Sequence, residues 1–514
     1  MTIVDDAPSG VADRLRMLTG VGPEGPDLLP LDAGQQYRFS FAMEACIGCH
    51  SCEVACAEQN DTPIDVAWRR VGELESGEFP QTRRFSMSMA CNHCLEPTCL
   101  SGCPTNAYLK LENGVVKHLE DECIGCQYCI WNCPYEVPVF DKARKIVSKC
   151  DMCLPRLEAG QKPACVGACP TRAIDVERVD VAAWRADHAA ADAPSLPPSA
   201  ITLSTTRLVL PPDLAADAMA ASDYRVEPEH PHWPLIALTL LTQLALGTVA
   251  STVLAEVAGG RRLAGGAVGA AVAGMVAMAA SLLHLGRPAR AFKALRNLKT
   301  SWLSREVALL SAFAVLALLY AAAWKGWAAG LPRLPVGVAA VAVGAAGVYA
   351  SGRLYLVPSR PVWNSRRTLV AFFATAFSTG PLLAVLTLDR GRLGPTMVLA
   401  LMAMAAAASL VQVAVHAHLS ADVRRHPDRQ HQGTRILLST RFRGLLQARL
   451  AAVVIGLALL AWAPTVPLAG PAAGGRLWVA LVVLSAGELA GRYLFYVTVV
   501  PYRVAVPFFG RGQR

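Results

Sequence analysis

Sixteen cysteines fall in four tight groups between residues 46 and 169, and none follows. The groups read Cys46-x2-Cys49-x2-Cys52-x3-Cys56, Cys91-x2-Cys94-x4-Cys99-x3-Cys103-Pro104, Cys123-x2-Cys126-x2-Cys129-x3-Cys133-Pro134 and Cys150-x2-Cys153-x11-Cys165-x3-Cys169-Pro170. Three closely spaced thiolates can hold three irons of one cubane cluster, while a fourth, followed by proline, reaches across to a neighbouring cluster. The third group matches the bacterial ferredoxin run to the residue. All sixteen cysteines are therefore expected to be iron ligands, enough for four 4Fe–4S clusters. Zinc also uses Cys-x2-Cys pairs, but its closed four-ligand sites seldom carry a three-in-a-row run with a fourth Cys-Pro. A disulfide framework expects a short secreted chain with a signal peptide. Neither feature is visible, and no cysteine is left over.

Such a ligand set needs a compact scaffold. Residues 37–176 supply it, as an α+β duplicated ferredoxin-like four-cluster domain. The domain opens on a strand-like Tyr37–Phe41, carries a second alternating segment at Phe85–Met89, and predicts a hairpin over Leu109–Val116 around Asn113-Gly114. Metal clusters take the place of part of an ordinary core. Residues 1–36 read as an extension with one helical stretch around Val11–Leu18. Residues 177–232 lack strong periodicity and read as a long linker wrapping the cluster domain.

The chain has 514 residues, 53% of them hydrophobic and 17% charged, and the apolar excess lies after Trp233. Eight apolar spans of roughly 20 residues, the length that crosses a bilayer, lie near 234–257, 264–285, 303–324, 335–353, 368–388, 395–419, 446–467 and 477–500. Backbone groups in lipid have no water to bond, so such spans must be helices. An all-α eight-helix transmembrane bundle is expected over 233–500, with a tail at 501–514. Eight spans in succession disfavour a soluble bundle.

An even number of spans puts the cluster domain, the even-numbered loops and the tail on one side. Seventeen Lys and Arg lie there, including Arg287, Arg290, Lys293, Arg296 and Lys299, against seven on the other side. Cytoplasmic loops carry this excess. No apolar run or twin-arginine sits near Met1, so retention is expected: a multi-pass protein of the cytoplasmic membrane, with its cluster domain inside. The net charge of +9 then concerns membrane topology rather than nucleic acid.

Ionisable residues within spans are costly and usually functional. They are Glu256, His284, Glu306, His416, His418, Glu488 and Arg492. Glu488 and Arg492 stand i,i+4 and suit a structural pair. A transporter would place such charges near the midplane, whereas these gather at the rim. Histidine pairs such as His284 with His416 or His418 could hold a b-type haem, but three histidines make a sparse set and no haem is expected.

The cysteine spacings resemble the four-cluster electron-transfer subunit of the dimethyl sulfoxide reductase family. The membrane half resembles the anchor subunit of the same enzymes, through His232-Trp233-Pro234-Leu235, Leu283-His284-Leu285-Gly286-Arg287-Pro288, Leu303-Ser304-Arg305-Glu306, Gly380-Pro381-Leu382-Leu383 and Gly487-Glu488-Leu489-Ala490-Gly491-Arg492. The chain thus looks like a natural fusion of two subunits. The resemblance implies a partner, a catalytic subunit that carries molybdopterin, and exchange of electrons with membrane quinone. It pairs Cys46, Cys49, Cys52 and Cys169 on one cluster, and Cys56, Cys150, Cys153 and Cys165 on a second. Cys91, Cys94, Cys99 and Cys133 share a third, and Cys103, Cys123, Cys126 and Cys129 a fourth. The first group departs from the pattern, with Ala57 where the others have proline. In the resembling anchors the residues matching His284 and Glu306 are implicated in quinol binding, and chemistry agrees: a histidine can hydrogen-bond a quinone carbonyl and a carboxylate can relay the proton. A cytoplasm-facing member is similar to membrane sulfite-oxidising enzymes, so sulfite oxidation with quinone reduction is expected. The alternative is a quinol-oxidising reductase of dimethyl sulfoxide or another oxyanion.

Overall fold

The computed structural model describes residues 28–220, 226–259, 263–328, 330–388 and 393–502. The helical stretch expected at 11–18, most of the 1–36 extension and nearly all of the tail lie outside the described residues, as do Arg261, Arg262, Arg390, Arg392, Arg503, Arg511 and Arg514 of the charge count. The chain divides between residues 225 and 226 into two compact units.

In the first unit every element is short. In order they are β1 (Gln35–Ala42), α1 (Ser51–Gln59), β2 (Arg70–Ser76), β3 (Arg83–Met89), α2 (Thr98–Gly102), β4 (Tyr108–Lys110), β5 (Val116–His118) and α3 (Tyr128–Asn132). There follow β6 (Val139–Asp141), β7 (Ile146–Ser148), α4 (Leu154–Glu158), α5 (Ala164–Gly167), β8 (Ile174–Asp180), α6 (Val181–Ala186), β9 (Arg207–Val209) and β10 (Met219–Ala220). One sheet runs β8-β1-β9 and another β10-β2-β3, beside the hairpins β4–β5 and β6–β7. At the β4–β5 turn Gly114 takes φ +90°, a left-handed backbone that glycine adopts without strain. The core is part apolar and part sulfur: Phe39, Phe41, Leu74, Met87 and Met152 pack among buried cysteines.

The segment read as a linker is built into these sheets over much of its length. β8 pairs antiparallel with β1 from Gln35↔Asp180 to Phe41↔Ile174, β9 lies parallel to β1, and β10 pairs with β2. Between them Trp184 is buried and donates its indole N–H to the Ser204 carbonyl at 2.9 Å. No periodicity marks this stretch because it covers the unit by isolated contacts rather than by one continuous face.

The second unit is helical. Its long helices are α7 (Trp233–Val257), α8 (Ala264–Leu282), α9 (Trp302–Lys325), α10 (Arg333–Leu354), α11 (Arg366–Thr387), α12 (Pro395–Arg425), α14 (Arg443–Trp462) and α15 (Pro471–Val497), with a short α13 (Arg429–Ser439) between α12 and α14. All eight long helices have the length and apolar composition to cross a membrane. The sixth runs on to Arg425, so Arg424 and Arg425 end a helix rather than sit in a loop. Ser301 caps α9, accepting the Ser304 N–H. The hydroxyls of Thr239, Thr242, Thr248, Ser251 and Thr252 donate to carbonyls four residues back, which satisfies them inside α7 without any ligand.

Candidate metal centres and membrane site

The four cysteine groups fold into one repeated backbone pattern. Two residues after the first cysteine of each group, the chain enters the left-handed region, at Gly48, His93, Gly125 and Met152. That turns the N–H back onto sulfur: His93, Gly125 and Met152 donate to Cys91, Cys123 and Cys150 at 3.5, 3.4 and 3.3 Å. Three residues after each Cys-Pro cysteine the backbone is left-handed again, at Asn106, Glu136 and Arg172. The next N–H then bonds the closing sulfur, Ala107 to Cys103 at 3.3 Å, Ala173 to Cys169 at 3.2 Å, and Val137 to Cys133. The group without proline solves the same problem differently. With Ala57 in place, α1 continues through Cys56 to Gln59, and the Asn60 side-chain amide lies 3.8 Å from Cys56 Sγ and 3.9 Å from Cys153 Sγ.

The structure brings the groups together crosswise. Cys169 is the electrostatic neighbour of Cys46, and Cys133 stands with Cys91, Cys94 and Cys99. Cys103 stands with Cys123, Cys126 and Cys129, and Cys56 with Cys153 and Cys165. The resulting sets adjoin in a row. Cys52 neighbours Cys165, Cys150 neighbours Cys91, and Tyr108 lies between Cys99 and Cys129.

The donor chemistry fits a metal cluster. Burial pushes the thiols of Cys52 and Cys133 up to about 11 and those of Cys56 and Cys94 to about 12. Sulfurs so costly to ionise become thiolates only around a cation, and an all-thiolate set suits iron–sulfur or zinc rather than a hard cation. Buried positive charge accompanies them. Burial opposes the Arg69 charge, yet Cys165, Cys52, Cys150 and Cys56 hold its guanidinium above the usual range. Burial likewise opposes the charge of Lys149, which Cys91, Cys99 and Cys150 raise above the usual value. Its Nζ donates to the carbonyls of Val116 and Cys150. The His93 ring is fully buried in the same gap. Its Nδ1 accepts the Val116 N–H at 3.0 Å, which leaves the proton on Nε2, 3.9 Å from Cys150 Sγ. Sequence reasoning missed Arg69, His93 and Lys149, and the one available signal was His93 lying inside a cysteine group.

In the helical unit, His284 follows the end of α8 and packs its ring edge-on to His232, with centroids 5.4 Å apart. His232 is in turn 5.4 Å from His230 and 6.0 Å from Tyr496. Burial, with His284, His230 and Arg360 adding to it, pushes His232 down to about 3, so it is neutral. Glu306, only 3% exposed, has the Ser351 hydroxyl, Tyr355 and Tyr496 around it. The two tyrosine hydroxyls hydrogen-bond each other. The two residues singled out in the sequence are thus joined to one polar group through His232, Tyr355 and Tyr496, which sequence reasoning missed; of these only His232 lay within a quoted motif.

The other ionisable residues behave differently from expectation. Glu488 and Arg492 do not hydrogen-bond each other; Glu488 takes its hydrogen bonds from α11 and α12, and Arg492 gives its own to α7. Glu488 accepts from Thr375, Ser378 and Gln412 at 2.7, 3.2 and 3.0 Å. Arg492 donates to Gln243 at 2.8 Å and lies 3.9 Å over the Phe372 ring. Glu488, Gln412, Arg449 and His416 line a cavity of about 90 Å³. Glu256 accepts the Tyr320 hydroxyl at 2.7 Å.

A ferredoxin-like unit rich in thiols, followed by eight membrane-crossing helices, defines a membrane-anchored iron–sulfur electron carrier. The protein belongs to the DMSO reductase anchor subunit (DmsC) family, which matches residues 227–497, and a 4Fe-4S dicluster domain matches residues 83–179. One chain of the anaerobic dimethyl sulfoxide reductase of Haemophilus influenzae is 41% identical over 177 residues, which is 33% of the present chain and 86% of that protein. One subunit of the sulfite dehydrogenase of Allochromatium vinosum is 37% identical over 160 residues, 27% of the present chain and 67% of that protein. A formate dehydrogenase iron–sulfur subunit of Haemophilus influenzae is 35% identical over 169 residues, 29% of the present chain and 54% of that protein. The cluster half and the anchor half are therefore fused in one polypeptide, an iron–sulfur electron-transfer and membrane-anchor subunit of an oxidoreductase complex.

Proposed function

We propose that this chain passes electrons between a docked molybdopterin catalytic subunit and membrane quinone through four 4Fe–4S clusters. The observation that carries the reading is the row of four thiol sets, each closed by a cysteine from another group. The clusters supply one-electron storage along that row. The chain's own residues hold them: backbone N–H groups and the Asn60 amide point at sulfur, and buried Arg69 and Lys149 offset negative charge that would otherwise be costly inside the fold.

At the membrane end, quinone takes two electrons and two protons to become quinol. His284 hydrogen-bonds a quinone oxygen, and Glu306 relays the proton through the tyrosine hydroxyls. His232, held neutral, can relay a proton by taking one on one ring nitrogen as it gives one up from the other, so that no lasting charge is left at the rim. The preferred overall reaction is sulfite oxidation with quinone reduction, on a cytoplasmic cluster domain, supported by the charge count of the sequence and by the likeness to a sulfite dehydrogenase. The higher identity to a dimethyl sulfoxide reductase favours the reverse flow, from quinol to a sulfoxide.

The test is to compare two activities of the assembled complex. His284→Ala and Glu306→Gln should each lower quinone-linked turnover by about 100-fold or more, the scale of a lost proton-transfer group. Activity of the catalytic partner with an artificial dye should persist, since dyes exchange electrons at the clusters. Unchanged quinone turnover removes both residues from the site.

A further inference from the structure

Metal-ligating atoms of another kind converge where α12 gives way to α13. Asp422 on the last turn of α12, His426 just beyond it and His431 in the first turn of α13 each offer a ligand atom, all within 4.8 Å of one another. The corner folds this way because Asp428 caps α13, its carboxylate accepting the His431 backbone N–H at 3.1 Å. The same carboxylate lies 2.8 Å from His431 Nδ1. Nδ1 therefore holds the ring proton and donates it, which leaves the lone pair on Nε2. That Nε2 faces Asp422 Oδ2 at 3.8 Å, while His426 Nδ1 lies 3.1 Å from Asp422 Oδ1. The two imidazoles stack with centroids 4.6 Å apart and planes 25° from parallel, so both present an edge to the one carboxylate.

We propose that Asp422, His426 and His431 bind a divalent transition-metal ion, zinc foremost, at this corner. Two imidazoles and a carboxylate are the borderline and hard donors zinc accepts, and three protein ligands leave a fourth position for water. Ligand atoms around tetrahedral zinc stand about 3.3 Å apart. The present spacing reaches that by rotation of the His426 side chain, which is 53% exposed and would give up the 3.1 Å contact of its Nδ1 with the Asp422 backbone carbonyl. The Asp428–His431 hydrogen bond is the independent sign of a built site. A carboxylate on the far nitrogen fixes the ring's tautomer and raises the basicity of the coordinating one. Arg367 donates to Asp422 Oδ2 at 2.5 Å, which orients the carboxylate and leaves Oδ1 toward His426. A bound ion would tie the end of α12 to α13.

The experiment uses the intact complex, stripped with a chelator and then titrated with Zn²⁺, with zinc and iron per chain measured on the same sample. One zinc per chain should bind without loss of iron. His426→Gln and His431→Gln should abolish that binding. Asp428→Asn should weaken it roughly 10- to 100-fold, as loss of an orienting partner does. His418→Gln, on the same helix but outside the group, should leave it unchanged. His426 is exposed, so its substitution tests the site without threatening the fold. The inference is overturned if wild type and His426→Gln take up equal zinc with equal affinity, which would mean Arg367 and Asp428 balance the corner by ion pairing alone. Zinc uptake that always accompanies iron loss overturns it too.

Discussion

Helices α7 and α11 cross where Gly247 meets Gly380, and the crossing can be broken by a single methyl. A Cβ on residue 247 would lie 1.9 Å from the Ala376 carbonyl oxygen and 3.1 Å from Gly380 Cα. A Cβ on residue 380 would lie 2.5 Å from Gly247 Cα. Non-bonded heavy atoms settle at about 3.5 Å, so the axes must part by roughly 1.5 Å. The obstacle is backbone, which cannot swing aside as a side chain can. Overpacking of this kind costs about 1–3 kcal/mol, and alanine's better helix propensity returns up to about 1 kcal/mol. A net loss of about 1–2 kcal/mol corresponds to a midpoint lower by roughly 2–4 °C in a unit of this size. The assay is thermal unfolding of the detergent-solubilised complex, followed by size exclusion. Gly444→Ala and Gly475→Ala are the controls, since no atom lies within 4 Å of either added Cβ. The double variant at 247 and 380 should lose less than the sum of the singles, because both report one contact. Since α7 begins next to His232, quinone-linked turnover should fall more than dye-linked turnover. If Gly247→Ala is as stable as Gly475→Ala, the close crossing is wrong.

Three further outcomes follow from the site. Fully loaded protein should hold ~16 irons per chain, and Cys126→Ser should leave ~15 if its cluster becomes three-iron or ~12 if it is lost; saturation of the wild type near half of 16 would contradict four clusters. Tyr355→Phe and Tyr496→Phe should each slow quinone-linked turnover by about tenfold or more while leaving iron content intact, and turnover equal to wild type would remove the tyrosine pair from the proton route. A protease site placed at residues 77–82, the β2–β3 turn where Phe79 is 91% exposed, should be cut in inverted vesicles and spared in sealed spheroplasts; cutting in spheroplasts would favour the outward-facing reductase.

What the sequence disclosed and what it hid have physical causes. Iron ligation by Cys-x2-Cys runs is local, and the left-handed turns at Gly48, His93, Gly125 and Met152 follow within each run, so spacing alone pointed to the centres. Membrane crossing is also local, a matter of length and apolarity, and the span limits differ from the helices by a few residues. Arg69 and Lys149 were not legible because they reach the sulfurs only by tertiary approach; the crosswise meeting of the four groups is tertiary as well, and only the family resemblance gave it. His232, Tyr355 and Tyr496 come from three distant segments that nothing in the pattern connects. Asn60 was hidden because it replaces the effect of a proline by a side-chain amide one helical turn away. The i,i+4 spacing of Glu488 and Arg492 did place two opposite charges together inside the bundle, but their hydrogen bonds go to hydroxyls and amides on α11, α12 and α7, which the spacing does not disclose.

The central claim is that electrons pass between the clusters and quinone at the His284 rim. The most direct measurement places the purified chain, with its catalytic partner, in bilayers that contain quinone, and reduces the clusters with limiting dithionite under anaerobic conditions. The visible cluster absorbance should then recover as quinone takes the electrons, and His284→Ala should slow that recovery by about 100-fold with the same iron content. Clusters that stay reduced beside quinone, or that reoxidise equally fast in wild type and His284→Ala, would contradict the account.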